Sequence, residues 1–148
     1  MPKFAVYEAT EVVISAPIPI TDGLAEDNFL RVIFPERFAT IVGCDSRILR
    51  YAKLNQLAQV ELRLKGFSPH NQELSAMHIA DVTRNDGSGV GGFLVRDETG
   101  VSTFSAARSW VTKLPDLQFG EQREDVLWTF ACIYIPEGCI IGGNGTPL

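Results

Sequence analysis

Residues 57–67 read LAQVELRLKGF, where Ala58, Val60, Leu62 and Leu64 alternate with Gln59, Glu61, Arg63 and Lys65. Apolar side chains at period two fill one face of a β-strand and leave the other face wet. This stretch sets the class of the fold, and its neighbours follow it. Residues 11–18 (EVVISAPI) and 29–34 (FLRVIF) are apolar and β-branched. Residues 92–97 and 101–111 flank Glu98-Thr99-Gly100, a hairpin turn signal. Residues 126–135 (VLWTFACIYI) are aromatic and β-branched, and 139–141 offer a short last strand. Residues 38–45 and 46–51 carry a weaker strand signal.

One segment reads as a helix. Ser68 is suited to cap the first free N–H groups and Pro69 to occupy the first turn. Residues 70–81, HNQELSAMHIAD, then place Leu74, Met77 and Ala80 on one face for packing against a sheet. The helical signal fades at Asn85-Asp86-Gly87. Strands, one helix, then strands predict a mainly β fold: two packed antiparallel sheets, sandwich or barrel, with one flanking α-helix. Neither a repeat nor a linker divides residues 1–148, so a single domain is expected. Trp110 and Trp128 both fall in strand patterns and are expected in its core.

Composition excludes several classes. Apolar residues make up 45% of the chain and charged residues 21%, which is globular rather than disordered. Apolar runs such as 131–135 fall far short of the ~20 residues a membrane helix requires, and the N-terminus meets acid by Glu8, unlike a signal peptide. The formal charge is −5. Residues 1–68 are neutral overall and residues 69–148 hold five bases against ten acids. That balance argues against a nucleic-acid grip, which needs clustered Lys and Arg.

No pattern in the sequence carries chemistry. Cys44, Cys132 and Cys139 are odd in number and widely spaced, which suits a reducing compartment better than a disulfide framework. His70 and His78 lie eight apart, without the four-residue spacing of a zinc helix. Residues 85–92, NDGSGVGG, lack the Lys-Ser/Thr of a phosphate loop, and Phe93-Leu94 follows instead, so a plain connection is expected. Asp116, Glu121, Glu124 and Asp125 cluster among polar residues and read as a solvated loop rather than an acid–base pair. Serine has no nucleophile elbow, and Cys44 is expected to be a buried inert thiol. The expectation is therefore no enzyme, with no catalytic, cofactor-binding or metal-binding residue. A small hydrolase lacks a coherent site, and a sugar-binding β-sandwich would gather aromatics in a loop, which this chain does not do.

Five motifs in register nevertheless resemble one family. Ser68-Pro69, Asn71 and Leu74-Ser75-Ala76 within 60–77 are similar to the strand-then-helix segment of tail tube proteins of long, contractile-tailed bacteriophages. Residues 91–97 (GGFLVRD) resemble that family's central hairpin. Ala107, Trp110, Lys113, Pro115, Asp116, Phe119 and Gly120 stand in its Ala-x-x-Trp-x-x-Lys-x-Pro-Asp-x-x-Phe-Gly order. Trp128 and Phe130 match its penultimate strand, and Ile140 to Asn144 its terminal Ile-Gly-Gly-Asn. The resemblance spans about residues 11–144.

That resemblance implies a structural virion protein, assembled in the host cytoplasm. Hexameric rings would stack into a hollow tube whose partners are further copies of the chain, the sheath, the tape-measure protein and the baseplate or terminator proteins. No membrane is involved, and DNA would pass along the channel without specific binding. The tube of a contractile injection system of the type VI secretion kind is the neighbouring alternative, and a monomeric β-sandwich binding module the distant one. The resemblance also implies that part of residues 35–56 reaches the next ring. A channel that conducts a polyanion with one charge per ~1.7 Å should not be basic. An acid excess is therefore expected on lumen-facing side chains, chiefly from 101–113 and 57–67.

Overall fold

A computed structural model describes residues 5–6, 12–21, 23–25, 28–97, 102–121, 124–142 and 146–147. In chain order the elements are β1 (Ala5–Val6), β2 (Val12–Ala16), β3 (Ile18–Ile20), β4 (Leu30–Ile33), β5 (Phe38–Val42), β6 (Ile48–Ala52), β7 (Leu57–Leu64), α1 (His70–Arg84), β8 (Gly91–Asp97), β9 (Thr103–Lys113), β10 (Val126–Tyr134) and β11 (Thr146–Pro147). Seven strands form one antiparallel sheet in the order β3-β2-β8-β9-β10-β7-β4, while β5 pairs only with β6 and β1 with β11. The mainly β, antiparallel expectation with one helix holds, and the sheet is not a closed barrel.

The large sheet is strongly curled. Between its two edge strands the chain needs only four residues, because Ile20 ends β3 and Leu24 already bridges Leu64 beside β7. Four residues span at most about 14 Å, whereas six strand spacings in a flat sheet would need about 29 Å. The edges are therefore drawn toward each other, and the inner side chains meet across the curl. Phe93 on β8 reaches Phe130 on β10, with ring centroids 5.3 Å apart. Phe34, just past β4, contacts both Phe104 at 5.7 Å and Tyr134 at 5.4 Å. Val60, Leu62, Leu64, Leu74, Phe130 and Trp128 are fully buried in the resulting core.

The helix closes one side of that core. Ser68 Oγ accepts the His70 N–H at 3.3 Å, as a capping serine does, and α1 ends on Asn85 in the left-handed conformation. Leu74 is buried and Met77 packs against the core. Asn71 ties α1 to the sheet: its Oδ1 accepts the Trp128 indole N–H at 2.9 Å, and its Nδ2 donates to the Lys65 carbonyl at 2.9 Å. His70 reaches across as well, its Nε2 accepting the Thr21 N–H at 3.3 Å. Gly23 makes the tight crossing between the edges possible. Its φ is +73°, and a Cβ there would lie 2.4 Å from Ser68 Cβ. Gly23→Ala is expected to cost about 1–3 kcal/mol, a strained backbone and a clash combined, which urea unfolding would report as a lower midpoint with an unchanged slope.

Three expectations are corrected. Residues 11–18 are not one strand: the chain turns at Pro17, which has no N–H to donate, and β2 and β3 pair with Ala16 opposite Ile18. Residues 139–141 form no strand; a short 3-10 turn at Pro136–Gly138 precedes a single bridge between Ile140 and Thr103. The weaker strand signals at 38–45 and 46–51 hold, since those residues form the paired strands of one hairpin. Trp110 is not in the core. A β-bulge on β9 lets the stretch from Ala106 to Ser109 oppose the shorter stretch from Phe93 to Gly91, so the inward positions switch from Phe104 and Ala106 to Ser109 and Val111. A one-residue slip of this kind moves every later side chain to the opposite face, and Trp110 lands half-buried on the outer side. The turn expected at Glu98-Thr99-Gly100 and the terminal motif at Gly143 and Asn144 lie outside the described residues.

Candidate functional site

Cysteine, histidine and carboxylate side chains are scattered over the fold. Cys132 is buried in β10, and burial pushes its thiol up to about 12, far from a reactive thiolate. Cys139 donates to the Ser105 carbonyl at 3.7 Å. Cys44 corrects its expectation: it is exposed, at the tip between β5 and β6. His70 Nδ1 lies 3.2 Å from Glu73 within α1. Among the described residues no three His, Cys, Asp or Glu side chains are grouped to hold a metal ion. Residues 85–90 connect α1 to β8, and at Gly89 a Cβ would meet the Asp81 side chain at 2.5 Å, so close packing explains that glycine. Asp116, Glu121, Glu124 and Asp125 are exposed on the β9–β10 connection, the solvated loop expected.

What the fold does present is exposed apolar surface, much of it on the β5–β6 hairpin. Its registered pairs are Phe38–Ala52, Ala39–Tyr51, Thr40–Arg50, Ile41–Leu49 and Val42–Ile48. Ala39, Ile41, Leu49 and Tyr51 therefore share one face, and Phe38, Val42 and Ile48 share the other with Thr40 and Arg50. A strand pair resting on a core buries one of its faces, yet here both remain open. Ile48 is 72% exposed and Leu49 61% exposed. Among the described residues the two strands make substantial contact only with each other. The hairpin is an arm. At its root the Lys53 N–H donates to the Arg37 carbonyl at 2.7 Å, and along it the Arg50 guanidinium lies 4.0 Å from the Phe38 ring centroid.

The sheet edges form a second surface. On β3 the edge is three residues long and carries Pro19, a blunted edge. On β4, Leu30–Ile33 has neither proline nor inward charge, and among the described residues nothing pairs with its outer side. Ile33 and Phe34 are exposed there, beside an apolar groove lined by Val32, Phe34, Phe104 and Ile140.

The third surface is the outer face of the sheet. It carries Gln59, Glu61 and Arg63 from β7, Ala107, Arg108 and Trp110 from β9, Thr129 and Ala131 from β10, Arg31 from β4 and Arg96 from β8. The acid excess expected of 57–67 and 101–113 does not occur on this face, where Glu61 stands against Arg63 and Arg108. Arg31, opposite Glu61 on β4, and Arg96 on β8 add to the basic side.

Sequence reading placed part of 35–56 at an interface but missed how fully both hairpin faces are exposed. The available signal was negative: FATIV and ILRYA lack the apolar–polar alternation of 57–64. No protein-family model matches the chain, and a search of curated proteins returns no match.

Proposed function

We propose that the chain is a structural subunit of a phage tail tube, whose copies form rings that stack into a hollow conduit for DNA. One observation carries this reading: an arm of paired strands whose apolar residues stay exposed on both faces among the described residues. A monomeric binding module gains nothing from such an arm, and exposed apolar surface of this kind marks an interaction site. The open β4 edge supports the reading too, since pairing it with a neighbouring copy turns an aggregation hazard into a ring contact. The two surfaces differ in kind, as lateral and axial contacts in a tube must. A head-to-tail axial contact does not close on itself and therefore extends.

Negative-stain imaging of the purified protein at rising concentration tests this directly. Rings and stacked tubes of uniform diameter are the expected result. A dispersed monomer at the highest soluble concentration would refute the assignment.

A further inference from the structure

The arm differs from the rest of the molecule in charge. Residues 38–52 hold Arg47 and Arg50 against Asp45, whose carboxylate lies 3.0 Å from Arg47. The remaining residues hold eleven bases against seventeen acids. A basic, apolar projection thus extends from an acidic body. The opposite combination sits on the β9–β10 connection. There Leu117 is 76% exposed and Phe119 88% exposed, beside the exposed carboxylates of Asp116, Glu121 and Glu124. Asp116, Leu117, Glu124 and Asp125 help line an open groove of about 290 Å³, with Lys113 at its wall and Asp125 3.8 Å from the Lys65 ammonium, so Asp116 and Glu124 are the carboxylates it offers.

Resting on the tube reading above, we propose that the arm of one copy docks on the β9–β10 connection of the next copy. Apolar residues at the arm's end, Ile41, Val42, Ile48 and Leu49, cover Leu117 and Phe119. Arg47 and Arg50 face Asp116 and Glu124, with the groove receiving a guanidinium. Each member supplies what the other lacks: apolar area for apolar area, and base for acid, which fixes register and excludes wrong partners. Arm and acceptor are different surfaces of the same chain, so every docked copy presents a vacant arm at one end and a vacant acceptor at the other.

Two full-length charge-reversal variants test the pairing, one carrying R47E and R50E, the other D116K and E124K. All four positions are exposed, and circular dichroism checks that both variants fold. Each alone should need an about tenfold or higher concentration than the wild type to form sedimentable polymer, because like charges then face each other across the contact. An equimolar mixture of the two should polymerise at nearly the wild-type concentration, since it restores opposite charges in every contact. A direct readout uses the cysteine already at the arm's tip. A bismaleimide should join Cys44 of one copy to the new thiol of an L117C chain, and C44S should abolish that product.

Variants that polymerise as readily as the wild type, or a mixture that stays dispersed, would overturn the docking and leave the tube assignment standing. A cross-link formed by a protein that never makes tubes would uphold the docking and remove the tube assignment. Neither cross-link nor polymer would remove both.

Discussion

Excising residues 38–52 and joining Arg37 to Lys53 through two glycines should leave a folded protein that forms no tube. The join is geometrically simple, because the Lys53 N–H already touches the Arg37 carbonyl at 2.7 Å. The core should not register the loss, since its buried residues come from the large sheet and α1 and none from the arm. A thermal transition within a few degrees of the wild type is expected, with near-ultraviolet circular dichroism unchanged. Assembly should change completely. Burying an Ile, Leu or Val side chain contributes about 1.5–3 kcal/mol, so four at the tip amount to about 6–12 kcal/mol. Association of two bodies costs about 4–15 kcal/mol in lost freedom and ordering. On the tube reading, one arm would therefore hold one neighbour weakly, and a ring of arms engaging together would make a stack endure. Normal-length tubes from the excised chain would show that the arm has no part in stacking.

Trp128→Ala should be the most damaging single substitution in the core. The indole is 1% exposed, and truncating a buried Trp costs about 3–5 kcal/mol. The change also leaves the Asn71 amide oxygen without the indole donor, a penalty of about 1–3 kcal/mol for a buried polar group. The sum rivals the whole stability of a domain, about 5–15 kcal/mol, so little soluble, folded protein is expected. Trp128→Phe keeps most of the ring volume and isolates the hydrogen bond, at about 1–2 kcal/mol. Trp110→Ala removes a half-buried ring from the outer face, and a loss near the usual ~1 kcal/mol for a point change is expected. Urea midpoints of the three variants rank them. Equal midpoints for Trp110→Ala and Trp128→Ala would contradict the inward and outward assignments made by the β9 bulge.

How much of this was legible depended on whether local chemistry and tertiary structure agreed. Residues 57–64 alternate cleanly because β7 lies inside the sheet, between β10 and β4, with one face in the core and one in water. The helix start was legible because Ser68 and Pro69 act locally, through a hydrogen bond two residues away. Trp110 was misplaced because a bulge changes parity without any local mark, Ala107 and Arg108 being ordinary strand residues. The arm was under-read because alternation reports burial by the same chain, whereas its faces are open in the single subunit. The acidic loop was read as solvated, correctly, but Leu117 was passed over there and Phe119 figured only as a motif residue. Two isolated apolar residues on a loop gain significance only beside a basic, apolar arm.

The open arm also bears on the timing of assembly. Two five-residue strands held by one register and no core are marginally stable in water. In the lone subunit the arm should therefore fray and re-form, exchanging its amide hydrogens long before those of β7 or β10. Fixing each residue's backbone costs about 1–2 kcal/mol of entropy, and that cost falls on the moment of docking. Two stray subunits meeting in solution must bear it for a single weak contact, whereas a subunit landing on a finished ring shares the gain among several. On the tube reading, fraying of the arm would act as a clock: it would hold the subunit pool quiet until a template appears, then let growth run from one end.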